Sequence, residues 1–340
     1  MPQSPIVFCA GGDVMLGSNL DTAWARAAQH RAGLPHLLPS PDSLLVPLRP
    51  LVGDADVVLL NVEGAIGTGP APRKCRTGSK SCYAFRQDTA VAGALRRIAP
   101  GAEVAGNVAN NHAMDAGSEG FTRTIGYLRA AGVHVVGADS SPTLVPLRDG
   151  DTLALLGFSA FQAGPDARDL ALVKRLVARA AATHRRVVVS FHIGAEGVDA
   201  QRTPDSVELY LGENRGNPVA IVHAALASGA SMVVAHGPHV LRGIEWRPDG
   251  LAVYSLGNLV TYGPFSMREP LNRGAIVCAW LDRDGHVTQA DIRPTRQLQP
   301  GIVVPDADYR AAYLVDSLSA LDFPETGVRV PWGMIRRRKH

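Results

Sequence analysis

Aromatic residues make up only 6% of the 340-residue chain, and no stretch interleaves them with arginine. That removes a base-stacking surface, and a formal net charge of +3 is too small to imply a nucleic-acid partner. The basic run from Arg336 to His340 reads as a solvated tail. Long hydrophobic runs are missing too: none approaches the ~18 apolar residues that cross a bilayer. The opening stretch, MPQSPIVFCAGGDV, has no charged start, no apolar segment of signal length and no cleavage site. The expectation is a cytoplasmic protein, or an extracytoplasmic one whose export segment is missing from this stretch. Four cysteines are too few for a disulfide framework at this length. Cys9 and Cys278 fall in apolar strand patterns and read as buried thiols. Cys75 and Cys82 bracket a polar loop; they read either as a loop disulfide or, for Cys75 between Lys74 and Arg76, as a low-pKa thiol. Gly11, Gly12 and Gly17 lack the spacing of a dinucleotide fingerprint or a P-loop. Ser190 and Ser255 lack the glycines of a nucleophile elbow.

What remains is a chain with 46% hydrophobic and 19% charged residues, enough for a substantial core. Short apolar runs at 6–10, 56–61, 103–106, 133–136, 186–191 and 231–235 read as buried strands. Helical patterns at 20–32, 90–97, 121–131, 170–183 and 218–227 alternate with them. Hairpin patterns fall at 143–158, 243–255 and 275–293, around Asp149-Gly150, 247–250 and Asp284-Gly285. This order predicts an α/β protein of two mixed sheets packed face to face, with helices outside. Residues 1–300 read as one domain with an irregular insertion near 64–86, followed by a C-terminal helix and tail over 301–340. The glycines after residue 10 read as a tight turn or a place of close backbone approach.

Chemistry-bearing residues recur just after the apolar runs. Asp13, Glu63, Asn111 with His112, His192, and His236 with His239 all fall at strand ends. Any one of them is explained as a turn or cap residue. Their recurrence is not, because strand ends are where α/β proteins hold their sites. Carboxylate, amide oxygen and imidazole suit zinc, manganese or iron, and such ligands on separate loops can converge on a two-metal centre. Asp205, Glu208 and Glu213 lie in a polar segment and read as solvated.

Six stretches carry a resemblance. GDVMLG (12–17), NVEGAIG (61–67), NVANNHAMDAG (107–117), FHIGAE (191–196), AHGPHVLRGIE (235–245) and YSLGNLV (254–260), with CYAFR (82–86), resemble the CapA-type poly-γ-glutamate capsule-synthesis proteins. These are distant relatives of calcineurin-like metallophosphoesterases. The resemblance covers roughly residues 5–295 and implies a four-layer α/β-β/α sandwich. By that analogy, Asp13, Glu63, Asn111, His192, His236 and His239 fall at metal-ligand positions and His112 at the general-acid position. Metallophosphoesterases usually carry Asp-x-His in the first motif, where this chain has Asp13-Val14-Met15, and a thioether is a poor ligand for a hard metal. Glu63 replaces their bridging Asp. Both features are typical of the CapA-type branch, and both put two-metal phosphatase chemistry in question.

Two activities follow from the resemblance. The first is a metal-dependent hydrolase or transferase acting on a γ-glutamyl or other peptide polymer, or on a phosphoester, with His112 protonating the leaving group. Arg73, Lys74, Arg76, Lys80 and Arg86 would hold an anionic substrate near the mouth, with Asn258 beside them. The second is a metal-free epimerase that inverts an α-carbon in a ribosomal peptide, as in lasso-peptide-type biosynthesis. Asp13, Glu196, the histidines and Cys75 would then supply base and acid on opposite faces of the carbon. A third reading, a degenerate scaffold that only binds polymer, leaves so many titratable groups at one point without a purpose. The sequence carries no sign of oligomeric state.

Overall fold

A strand covered on both faces must be apolar at every position, and one with a single buried face alternates. The first strand, Ile6–Met15, is buried throughout. Its Ile6, Phe8 and Ala10 enter one hydrophobic core while Val7 and Cys9 enter another. The computed structural model, which describes residues 4–33, 40–76 and 82–338, shows what those two cores are.

In the larger sheet the strands run in the order Ile302–Pro305, Val287–Leu298, Arg273–Leu281, Ile6–Met15, Val57–Val62, Glu103–Asn107 and His134–Val136. In the smaller the order is Ile244–Arg247, Gly250–Val253, Met232–His236, Arg186–His192, Thr152–Ser159 and Thr143–Pro146. Side chains from both, such as Phe8, Leu59, Leu155, Val188, Val234 and Val253, meet in the core between the sheets. The outer face of the larger sheet is covered by the helices Pro41–Leu45, Ala90–Arg96 and Gly117–Ala130, through Leu45, Val91, Leu95 and Leu128. The helices Leu170–Ala181 and Pro218–Leu226 cover the smaller sheet through Val173, Val177, Ile221 and Val222. The result is the expected α/β-β/α sandwich of mixed sheets. The helix Arg310–Asp322 adds Ala311, Ala312 and Val315 to the central core.

Ile6–Met15, Val57–Val62, Glu103–Asn107 and His134–Val136 are mutually parallel, as are Thr152–Ser159, Arg186–His192, Met232–His236 and Gly250–Val253. Their carboxyl ends carry the loops where the chemistry gathers. The first strand does not stop at residue 10, so Gly11 and Gly12 form no turn. It runs on to Met15 and exchanges partners, pairing with Arg273–Leu281 up to Gly11 and with Asn258–Thr261 from Asp13. A Cβ on Gly12 would lie 2.0 Å from the Gly257 carbonyl oxygen, so the close approach of backbones is what requires glycine there. The Asn258–Thr261 strand itself has no counterpart in the expected elements. The helix expected from residue 121 starts at Gly117.

Cys9 and Cys278 stand opposite each other in adjacent strands and form a disulfide, which corrects their reading as thiols. Within the 64–86 insertion, Ala65–Ile66 pairs with Arg86–Gln87, and Cys75 is bonded to Cys82. Lys80, Lys339 and His340 lie outside the described residues. Glu208 is not solvated either: both its oxygens accept from the buried Arg242 at 2.8 Å.

Behind the smaller sheet, buried Glu245 accepts from Tyr254 Oη (2.5 Å) and Thr326 Oγ1 (2.5 Å), and its Oε2 lies 2.8 Å from His223 Nε2. Burial works to raise its pKa, but these hydrogen bonds outweigh it and hold the carboxyl below its usual 4.5. A depressed folded pKa gives stability that is present above the unfolded value and lost as pH falls through the folded one. Glu245→Gln is therefore expected to cost about 1–3 kcal/mol at neutral pH, with the difference from wild type shrinking in acid, as read by urea unfolding at stepped pH. Gly12→Ala, whose methyl meets immovable backbone, is expected to cost about 1–3 kcal/mol or more by the same measurement.

Candidate functional site

Register builds the site before any loop does. Across three neighbouring parallel strands, Asp13 stands beside Asn61 and Asn61 beside Asn107. Asn61 Nδ2 donates to Asp13 Oδ1 at 2.8 Å and lies 3.3 Å from His192 Nδ1. Its Oδ1 accepts from the amides of Asn107 and Asn110, each at 3.2 Å. Asn61 and Asn107 escaped the sequence reading, although the signal was there: each is a polar residue closing a run of buried apolar ones. Asn61 and Asp13 both reach across to groups of the other sheet, Asn61 to His192 and Asp13 to His239.

The smaller sheet delivers His192 and His236, which are register partners at the ends of adjacent strands. His239 follows in the next loop with a φ of +59°. Its Nδ1 lies 3.0 Å from Asp13 Oδ2 and 3.1 Å from Asn258 Oδ1. Both are acceptors, so this nitrogen carries the proton. His239 Nε2 lies 3.6 Å from Glu63 Oε1 and 3.8 Å from Glu196 Oε2. His192 Nε2 is 3.8 Å from the same Glu63 oxygen, and His236 Nδ1 is 3.5 Å from Asp13 Oδ1. Asn111 Nδ2 donates to Glu196 Oε1 at 3.5 Å, and Arg215 pairs with that oxygen at 2.6 Å.

The charges sort themselves. Burial works to raise the pKa of Asp13, but His239, through its hydrogen bond, and His236, through its nearness, prevail and keep it ionised. Glu63 is pushed well up, first by burial and then by the Asp13 charge. Burial opposes protonation of His239, yet Glu63, Asp13 and Glu196 raise its pKa well above the ordinary value. His192 is driven down by burial. The protein alone thus favours an Asp13–His239 ion pair, with Glu63 shifted toward its neutral form.

Several buried polar atoms have no hydrogen-bond partner: Glu63 Oε1, Asn111 Oδ1, His192 Nε2 and both ring nitrogens of His236. Leaving a buried polar atom unpaired costs about 1–3 kcal/mol, so a set of them in one place makes a candidate ligand site. Oxygen and imidazole donors together fit a divalent manganese, zinc or iron ion. Ligand atoms of Asp13, Glu63 and His239 also lie within 4.8 Å of one another. Met15 adds nothing, since its buried sulfur accepts the Gly17 N–H at 3.2 Å.

His112 sits to one side. Its Nδ1 is 2.7 Å from Asp115 Oδ2, and its ring stacks obliquely on Phe85 with centroids 4.4 Å apart. Burial lowers its pKa against the opposing pull of Asp115. Lys74 donates to Asp115 and to the Asn111 carbonyl, so it neutralises the residue that orients His112.

This linked order of motifs on two sheets decides the family. The chain belongs to the bacterial capsule synthesis protein PGA_cap family, whose profile matches residues 7–262. It is 30% identical over 170 residues to the PGA biosynthesis protein CapA of Bacillus subtilis strain 168, covering 45% of this chain and 41% of that protein. It is 29% identical over 175 residues to the capsule biosynthesis protein CapA of Bacillus anthracis, covering 45% and 39%. The matched part is thus about two fifths of the length of these PGA_cap relatives.

Other expected site residues take different places. Asn258 orients His239, and its Nδ2 donates to the Leu271 carbonyl, so it is not a free substrate contact. Cys75 has no thiol to act as acid, because it is tied to Cys82. Arg76 and Lys74 line a pocket of about 510 Å³ with Trp24, Tyr83 and Phe85. Arg86 does not join them; it is buried and faces a separate recess beside Arg123. Asn61→Ala would leave the amides of Asn107 and Asn110 and the Asp13 carboxylate each short of a partner. We expect a loss of about 2–4 kcal/mol, read by chemical denaturation.

Proposed function

We propose that the protein is a metal-dependent hydrolase or transferase acting on a γ-glutamyl or other peptide-like linkage, or on a phosphoester. The observation that carries this reading is the set of unpartnered buried donors on Glu63, Asn111, His192 and His236. Those residues would hold the ion, with Asp13 and His239 beside them. A divalent ion there supplies Lewis acidity toward the scissile carbonyl or phosphoryl oxygen and makes water a better nucleophile. The γ-glutamyl linkage is taken from the resemblance to poly-γ-glutamate capsule-synthesis proteins, and the Bacillus subtilis relative is called a PGA biosynthesis protein.

The chain's own groups do the rest. His112 holds Nδ1 against Asp115, which leaves Nε2 as the atom from which a proton would pass to the leaving group. Its lowered pKa makes the imidazolium a readier donor. Lys74 pairs with Asp115 and so helps to fix the carboxylate that orients His112. Arg215 lies over the Phe161 ring at 4.4 Å and holds Glu196 against the cluster, which sets the opposite wall. Both cysteine pairs are joined, which favours an oxidising, extracytoplasmic setting for this chemistry. No helix among the described residues is long and apolar enough to cross a membrane.

One observation favours the epimerase instead. Asp13 and His239 satisfy each other directly, with Glu196 adjacent, and so form a proton-transfer array that needs no ion. The disulfide withdraws Cys75 from that array.

Mass spectrometry on protein equilibrated with manganese, zinc and iron and then desalted separates the two. We expect about one or two equivalents of retained metal in wild type, and a loss of roughly 100-fold or more in metal affinity and amide hydrolysis in His236→Ala or His192→Ala. No retained metal, together with peptide α-proton exchange in heavy water, would establish the epimerase and end the hydrolase reading.

A further inference from the structure

Arg86 is an anomaly away from the cluster of carboxylates and histidines. It is 7% exposed, yet no carboxylate pairs with it among the described residues. Buried arginines are almost always paired, because an uncompensated charge in a desolvated position is costly. Its Nε donates to Asn19 Oδ1 at 2.7 Å, and Asn19 is itself fixed by donating to the Gly67 carbonyl at 2.8 Å. The two terminal guanidinium nitrogens have no hydrogen-bond partner among the described residues. The side chain lines a recess of about 190 Å³.

The other walls of that recess share a polarity. They include Ala116, Gly117, Ser118, Glu119 and Gly120, the first turn of the helix Gly117–Ala130. No side chain caps this helix. The first N–H groups of a helix lack intrahelical acceptors and carry the positive end of its dipole. Arg123, one turn further on, brings a second guanidinium, and its charge bears on Arg86. Pro70 and Pro72 close the side, with Pro72 only 3.0 Å from where a Cβ on Gly117 would stand. The carboxylate lining the recess belongs to Glu119, which is largely exposed and engages Arg123.

We propose that this recess is an oxyanion site. It takes a carboxylate or phosphate group on the first-turn amides that follow Gly117, whose own N–H donates to the Met114 carbonyl, between Arg86 and Arg123. An oxyanion there supplies Arg86 with its missing counter-charge and the helix with its missing cap. Pro72 also lines the pocket that holds Lys74 and Arg76, so the recess and that pocket lie on two sides of one strap. An acidic chain lying over the strap has a place for a carboxylate on its far side. None of the candidate metal ligands lines the recess, so this proposal stands or falls apart from the hydrolase reading.

The test uses the metal-free full chain, in chloride buffer of fixed ionic strength. Thermal unfolding is followed against inorganic phosphate and, separately, against a triglutamate peptide. We expect a saturable rise in melting temperature with at least one probe. Phosphate alone identifies a free oxyanion as the ligand; tighter binding of triglutamate identifies a chain carboxylate. The response should vanish in Arg86→Gln and weaken roughly tenfold in Arg123→Gln. Glu119→Gln, which removes the competing carboxylate, should bind a few-fold more tightly. Ser118→Asp should raise the melting temperature without phosphate and abolish the response to it. Arg123 and Ser118 are exposed, so these two variants decide the matter even if Arg86→Gln fails to fold. An unsaturable response, or one that persists unchanged in Arg123→Gln and Ser118→Asp, overturns the proposal. So does a response lost in His236→Ala, since it places the anion among the histidines.

Discussion

A carboxylate cannot stay ionised inside a protein without partners, and the interior end of the first strand turns on that constraint. Asp13 is carried there by a strand that continues through two glycines, at the second of which, Gly12, another backbone comes too close for any side chain. Once inside, it must be compensated. Asn61 from the neighbouring strand and two histidines from the opposite sheet do so. The central core brings the sheets together, and the Asp13 network fixes how their strand ends face each other. Packing alone is tolerant of small shifts; the hydrogen bond at 3.0 Å between Asp13 of one sheet and His239 beyond a strand of the other is not.

Much of this was legible in the chain. Runs such as DVVLLN and RVVVSF are apolar at consecutive positions because both faces are covered, and that marks central parallel strands in a layered fold. The residues that break these runs are polar at the carboxyl end, where a parallel sheet must hand over to a loop. Asp13, Glu63, Asn111, His192, His236 and His239 were found by that rule, and the structure brings them together. Asn61 and Asn107 lie inside strands near their carboxyl ends and were passed over. Their roles depend on register, which links Asp13 to Asn61 and Asn61 to Asn107 across three segments far apart in sequence.

The misread cysteines and arginines share one cause. Cys9 and Cys278 are separated by 269 residues, and only the antiparallel register of their strands makes them a pair. Arg86 was grouped with Lys74 and Arg76 because it is near them in sequence. Yet it lies in a short strand paired with Ala65–Ile66, which turns it to the other side of the strap. Glu208 was judged by its polar neighbours, while its partner Arg242 belongs to a distant segment. Local composition tells which residues are polar, and only the three-dimensional pairing tells which polar residues are spent on each other.

That distinction also separates structure from function within the site. Asp13, Asn61, Asn107 and Asn110 satisfy one another and pin the strand ends. Glu63, Asn111, His192 and His236 keep buried atoms that nothing in the protein engages. The first group explains why the loops converge, and the second is what they converge on. Selection for stability alone would exchange such atoms for apolar ones, since a buried donor without a partner weakens the fold. Their presence at the meeting point of two sheets, close to the His112–Asp115–Lys74 chain, is the feature on which the proposed metal-dependent activity rests.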